Sequence, residues 1–147
     1  MAKKIFNIET GYDMVGKMNV DPAASNTINT CMWFTLDASG NAIVATTTHR
    51  LVYFCSAGME RPDVYDSVVS GPTGSITGCY GNFVLEVDSN GYDTGGTYAL
   101  DTALKIDSGK LVDGTDGTDI IVGRALGAVA DGKLRCHINC PVVVADI

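Results

Sequence analysis

Basic charge is what this 147-residue chain has least of: ten Lys and Arg stand against seventeen Asp and Glu, a formal net charge of −7. A surface that grips phosphates needs clustered Lys and Arg. Here only Lys3 and Lys4 are adjacent, which argues against nucleic acid as a partner. Long apolar runs are missing as well. No segment approaches the length that crosses a bilayer, and no basic amphipathic stretch would lie on one, so no membrane partner is expected. Lys, Glu and Gln are few, and long helices fit poorly with that composition. There are two histidines, His49 and His137, far apart in sequence. No Ser sits in a nucleophile elbow, no Cys-His protease signature surrounds a thiol, and no phosphate-cradling Gly loop precedes a helix. The expectation is a protein that is not an enzyme, with no catalytic residues and no cofactor, although any two acids could in principle approach as a glycosidase pair. The first residues, Met1–Glu9, mix charged and apolar side chains and do not read as a secretory signal, so synthesis in a cytoplasm is expected.

What is abundant is turn chemistry. Seventeen Gly accompany many Thr, Ser, Asp and Asn, the residues of frequent turns between short strands. A hairpin signature is written twice: Phe34 to Thr46, turning at Asp37-Ala-Ser-Gly40, and Leu104 to Thr115, turning at Asp107-Ser-Gly109. Asp and Ser side chains bond the nearby backbone, and Gly supplies the positive φ that a short loop needs. The chain therefore reads as all-β, a small β-sandwich or barrel with Gly-turned hairpins and an extended N-terminal arm. Residues 1–30 form the arm or a set of loops, with a short strand at Lys4–Ile8 and a helical turn near Tyr12–Met18 as the plainer local structure. Residues 31–147 form the β domain. The hairpins suggest halves at 31–81 and 82–147, and whether the first repeats the fold of the second stays open.

Within that domain, Arg50–Ser56 reads as a buried strand, and 58–69 as a loop or short helix. Val68–Gly81 is too densely punctuated by Gly for a helix and reads as a bent β passage or an exposed loop. Phe83–Asp88 is a strand, Ser89–Gly91 its turn, and Tyr92–Leu100 a Gly-loosened return. Asp119–Ile138 makes two strands joined through Asp131-Gly132, with Leu134, Cys136 and Ile138 on a buried face and Lys133, Arg135 and His137 on a wet one. Trp33, the only tryptophan, reads as a core or interface anchor. The short tail Pro141–Ile147 is apolar enough to pair with something.

Five cysteines, Cys31, Cys55, Cys79, Cys136 and Cys140, read either as buried small hydrophobes or as late-forming bridges, and their odd number leaves at least one thiol without an intrachain partner, open to an intermolecular disulfide. Cys136-His-Ile-Asn-Cys140 looks metal-like, but in a strand residues four apart lie roughly 13 Å from each other. That is awkward for one tetrahedral zinc, and His137 reads as an outward-facing strand residue. Asp113, Asp116 and Asp119 form the one acidic cluster that could hold a hard cation. They lack the spacing of a calcium hand and read first as an Asx-turn-rich loop.

One stretch carries a family resemblance. The strand ending in Asp107, the Ser108-Gly109 turn and a short strand are followed by Ile121-Val-Gly-Arg-Ala-Leu126 and Ala130-Asp-Gly-Lys-Leu-Arg-Cys-His-Ile138. This order is similar to capsid decoration or head-fibre base proteins of tailed bacteriophages. It covers the last third to half of the chain; residues 46–81 lie outside it, and the five cysteines depart from it. The resemblance implies a non-enzymatic virion protein on the outer capsid surface, trimeric, with the major capsid protein as partner. Cementing of that kind needs a rigid β body, an edge or arm, and apolar anchors that lose water at the junction. Ile5, Phe6 and Ile8 of the arm, with Trp33, are the expected contact residues; ordinary core packing is their competing role. The other readings are a phage neck or tail-tube subunit and a receptor- or glycan-binding fibre module. Exposed aromatics would mark the last, with Tyr53, Tyr65, Tyr80, Tyr92 and Tyr98 as candidates.

Overall fold

A computed structural model describes residues 6–8, 12–20, 27–58 and 75–142. They contain ten strands: β1 Phe6–Ile8, β2 Tyr12–Asn19, β3 Trp33–Leu36, β4 Ala42–Val44, β5 Tyr53–Ala57, β6 Ser75–Val87, β7 Ala103–Asp107, β8 Lys110–Asp113, β9 Gly123–Ala125 and β10 Leu134–Cys140. All pair antiparallel in one sheet of order β4-β3-β5-β6-β10-β9-β7-β8, with β1 and β2 also on β6. The all-β expectation holds. The sheet is a curled, open half-barrel, not the closed sandwich or barrel expected.

The thirteen-residue β6 organises everything else. Ile8 faces Leu85 and Tyr12 faces Gly81, so β1 and β2 share one register and run as a single line along one flank, up to a bulge between Val15 and Lys17. The other flank is divided between β5, which pairs with Thr77–Cys79, and β10, which pairs with Gly81–Val87. β5 and β10 therefore meet end to end, and the Val142 amide donates to the Arg50 carbonyl at 2.9 Å where they meet. One long strand thus joins the β5 side and the β10 side of a single sheet. The proposed 81/82 boundary falls inside this strand.

Several expectations are corrected. Tyr12–Met18 is strand β2, not a helical turn: the β6 backbone supplies non-local partners that a short window cannot reveal. Within the N-terminal segment, Phe6–Ile8 and Tyr12–Asn19 belong to the sheet and do not extend from it. Val68–Gly81 and Phe83–Asp88 were expected as separate pieces, but from Ser75 onward they are one strand. Its glycines are explained by packing. A Cβ on Gly78 would sit 2.5 Å from Phe34 Cζ, so the Phe34 ring occupies the place of that side chain, and Gly81 has φ +123°. Tyr92–Leu100 is loop with one bridge, Tyr92 to Leu111, not a return strand. The strand expected from Asp119 shrinks to β9, and the one expected from Arg50 begins at Tyr53. The expected 58–69 excursion lies outside the described residues from Met59 on.

Both signature hairpins form. In the first, the Asp37 carboxylate accepts from the Ser39 and Asn41 amides at 2.9 Å, and Gly40 has φ +83°. In the second, Asp107 pairs with Lys110 across Ser108 and Gly109, both at positive φ, a two-residue primed turn. Asp131-Gly132 repeats that geometry and joins the Ala130–Lys133 bridge before β10. The tip of the second hairpin docks on the first: Trp33 N–H donates to the Gly109 carbonyl, Gly109 N–H to Ala45, and Ala45 N–H to Trp33, at 2.9–3.1 Å.

Two hydrophobic cores result. The larger one gathers Phe6, Trp33, Phe54, Phe83, Leu85, Leu104, Leu134 and Ile138 with their neighbours; the smaller holds Val20, Ile28, Phe34, Ala42, Cys55 and Ile76. Adjacent residues of β3, Trp33 and Phe34, point to different cores, as do Phe54 and Cys55 of β5. This pair of strands is a partition buried on both faces, which is why Trp33-Phe34 and Phe54-Cys55 are adjacent apolar pairs without alternation.

Candidate interaction surface

The chemistry-bearing side chains are largely spent on the chain itself. All five cysteines are buried and unbridged, which fits the small-hydrophobe reading. Burial pushes the Cys55, Cys136 and Cys140 thiols up to about 12 and raises Cys79 as well, so none of these four presents a thiolate near neutral pH. Along β10 the burial alternates, with Cys136 and Cys140 inward and His137 outward. The CHINC residues therefore divide between two faces of the sheet. His49 caps its own turn, its Nδ1 accepting from the Thr46 amide at 3.0 Å. Among the described residues no three His, Cys, Asp or Glu side chains come together as a metal site.

The acidic cluster is engaged by neighbouring donors. Arg124, on β9, donates both terminal nitrogens to Asp116 at 2.9 and 2.6 Å, a bidentate pair, and reaches the Asp101 carbonyl at 3.3 Å. Asp119 accepts from the Thr115 amide at 2.8 Å and lies 3.5 Å from Lys105 Nζ. Asp113 accepts from the Thr97 amide at 3.4 Å. Arg124 thereby holds the loop after β8 to the loop before β7.

The loop before β7 carries Leu100, 73% exposed, and the loop after β9 carries Leu126 and Val129, 37% and 38% exposed; Leu51, before β5, is 42% exposed. The Asp101 amide donates to the Ala125 carbonyl at 2.8 Å, so Leu100 and Leu126 each stand one residue from that bond. Val129 lines a shallow recess of about 420 Å³ with Tyr92, Thr94, Gly96, Thr97 and Tyr98. The tyrosine rings form its floor: Tyr92 and Tyr98 are buried, meet edge-to-face at 5.8 Å, and give their hydroxyl hydrogens to backbone carbonyls. A second recess of about 280 Å³, on the outer face of β10, is lined by Asn82, Arg124, His137 and Asn139 among others.

The expected contact residues lie elsewhere. Phe6 is 7% exposed and Trp33 fully buried, both within the larger core. Ile8 is half-buried against that core, and Ile5 lies outside the described residues. Tyr53 and Tyr80 are half-buried and packed on each other, and Tyr65 lies outside the described residues, so of the expected tyrosines the four described are not fully exposed platforms. Leu100, Leu126 and Val129 escaped sequence reasoning because Ala-Leu and Ala-Val pairs look the same in a strand interior as on a loop.

No family model matches the chain, and no curated protein matches it.

Proposed function

We propose that the chain is a non-enzymatic structural protein of a tailed-phage virion that decorates the outer capsid surface and bridges neighbouring capsomers as a homotrimer bound to the major capsid protein. The reading rests on the resemblance of residues 104–138 and is supported by the character of the surface. The apolar end formed by Leu100, Leu126 and Val129 carries it: a large leucine held in water on a loop clamped by Arg124 is a feature of an interaction site. Rigid clamping lowers the ordering cost of docking, and three such ends in a trimer multiply modest contacts into firm attachment.

The test is co-sedimentation of the purified protein with expanded phage capsids, with its mass measured by light scattering in the same buffer. Saturable binding that is lost in Leu100→Asp supports cementing through this end. Rings or tubes without capsid binding would move the assignment to the neck or tail. A stable monomer that neither assembles nor binds would remove it.

A further inference from the structure

Of the eight asparagines only Asn90 precedes a glycine, and Asn-Gly is the sequence in which imide formation is least hindered, because the following residue has no side chain. In that reaction the Gly91 nitrogen gives its proton to solvent base and bonds to Asn90 Cγ. The Cγ–Nδ2 bond breaks and nitrogen departs as ammonia with a solvent proton. Water then opens the imide at either carbonyl, leaving aspartate or isoaspartate.

We propose that Asn90 is a latent deamidation site that the Asp88–Gly91 turn holds closed and that opens only when the turn unfolds. Each reacting group is occupied in this fold. The Gly91 amide, the nucleophile, donates to the Asp88 carbonyl at 2.9 Å. The Asn90 carboxamide nitrogen, the leaving group, donates to both Asp88 carboxylate oxygens at 3.0 and 3.1 Å, and the Asn90 amide donates to one of them at 2.9 Å. Cyclisation requires Gly91 N to turn from that carbonyl toward Cγ. Gly91 is buried: a Cβ there would sit 2.5 Å from Val87 Cγ2 and 2.7 Å from the Cys31 carbonyl, and its own carbonyl accepts from the Leu111 amide at 2.9 Å. An isoaspartyl link adds a methylene to the main chain at this packed point. It would disturb the strap from Gly91 to Asp93 that covers the edge of β8. The site thus separates chains that have stayed folded from chains that have been open.

The test follows wild type, folded and in urea, in one mildly alkaline buffer by peptide mass mapping and isoaspartate assay of the segment containing Asn90. Conversion in the folded protein should be slower by roughly tenfold or more, since only the open turn reacts. Asp88→Ala, shown folded by circular dichroism, should convert faster than wild type. Asp88→Asn, which keeps one acceptor oxygen, should fall between them and decides the point if Asp88→Ala does not fold. Equal rates in folded and unfolded wild type would overturn the proposal. So would a folded Asp88 variant that converts no faster than wild type.

Discussion

The two cores divide the molecule unequally. Among the described residues the larger contains twenty-one buried side chains, drawn from β1 to the segment after β10, while the smaller contains six. The smaller is extended by half-buried Met18, Met32, Leu36, Val44 and Tyr53, so it is wetter and has more flexible methionine at its margin. Yet both depend on the same β3–β5 partition and on β6. The comparison teaches that burial on both faces of a short strand pair can couple a weak unit to a strong one. A single hairpin tip, Gly109, reinforces that coupling with backbone bonds.

The largest effects should come from the partition. Phe54→Ala, on the larger-core face, should cost about 3–5 kcal/mol, and Phe34→Ala on the other face a similar amount. Urea denaturation should show Phe54→Ala lowering a single transition, and Phe34→Ala lowering protection of β4 amides first in hydrogen exchange. Equal loss of protection everywhere in both variants would erase the distinction between the cores.

Gly109→Ala attacks the coupling itself. Gly109 has φ +79°, and a Cβ there would meet Met32 Cε at 2.9 Å and Val44 Cγ1 at 3.0 Å. Left-handed strain and crowding together should cost about 1–3 kcal/mol and broaden the denaturation curve as the units part. A sharp transition of unchanged slope would mean that the hairpin tip does not couple them.

Alkaline pH probes the cores through their thiols. Cys136 and Cys140 in the larger core and Cys55 in the smaller titrate near 12 when folded, against about 8.5 for a free thiol. The unfolded chain therefore loses these protons first. Their contribution is fully present below about pH 8.5 and declines as pH rises toward 12, by somewhat over 1 kcal/mol per pH unit for each thiol. Urea midpoints measured under reducing conditions should fall over that window. Replacing Cys136 and Cys140 by Ala should flatten the slope more than replacing Cys55 alone.

The smallest effect on stability should come from Arg124→Ala. Its pairs with Asp116 and Asp101 are exposed, and such bridges contribute at most about 1 kcal/mol. On the proposed function its larger consequence should be on capsid binding, because the clamp fixes the loop that carries Leu100. Weakened co-sedimentation with an unchanged urea midpoint is the expected pattern.

The local grammar of the fold was legible in the sequence. Asp37 to Asn41, Ser108-Gly109 and Asp131-Gly132 are turns whose residues meet local demands, and the alternation of Leu134, Cys136 and Ile138 assigned a face before any partner was known. β2 and the continuity of β6 were not legible, because their glycines read as breaks, although a bent β passage was one of the two readings of Val68–Gly81. Gly78 is small to admit the Phe34 ring, a contact between residues far apart in the chain. The exposed apolar side chains were missed for the converse reason: the exposure of Leu100 depends on which backbone covers it, and apolarity by itself does not report that.

By itself, then, the sequence determined a turn-rich, acidic, all-β chain with two Gly-turned hairpins and without a recognisable catalytic motif, because composition and turn preferences act within a few residues. Only tertiary structure decided that the sheet stays open, that β6 serves two cores, and that Phe6 and Trp33 lie inside while Leu100 lies outside. Those outcomes rest on register and packing between distant segments, and no local preference encodes them.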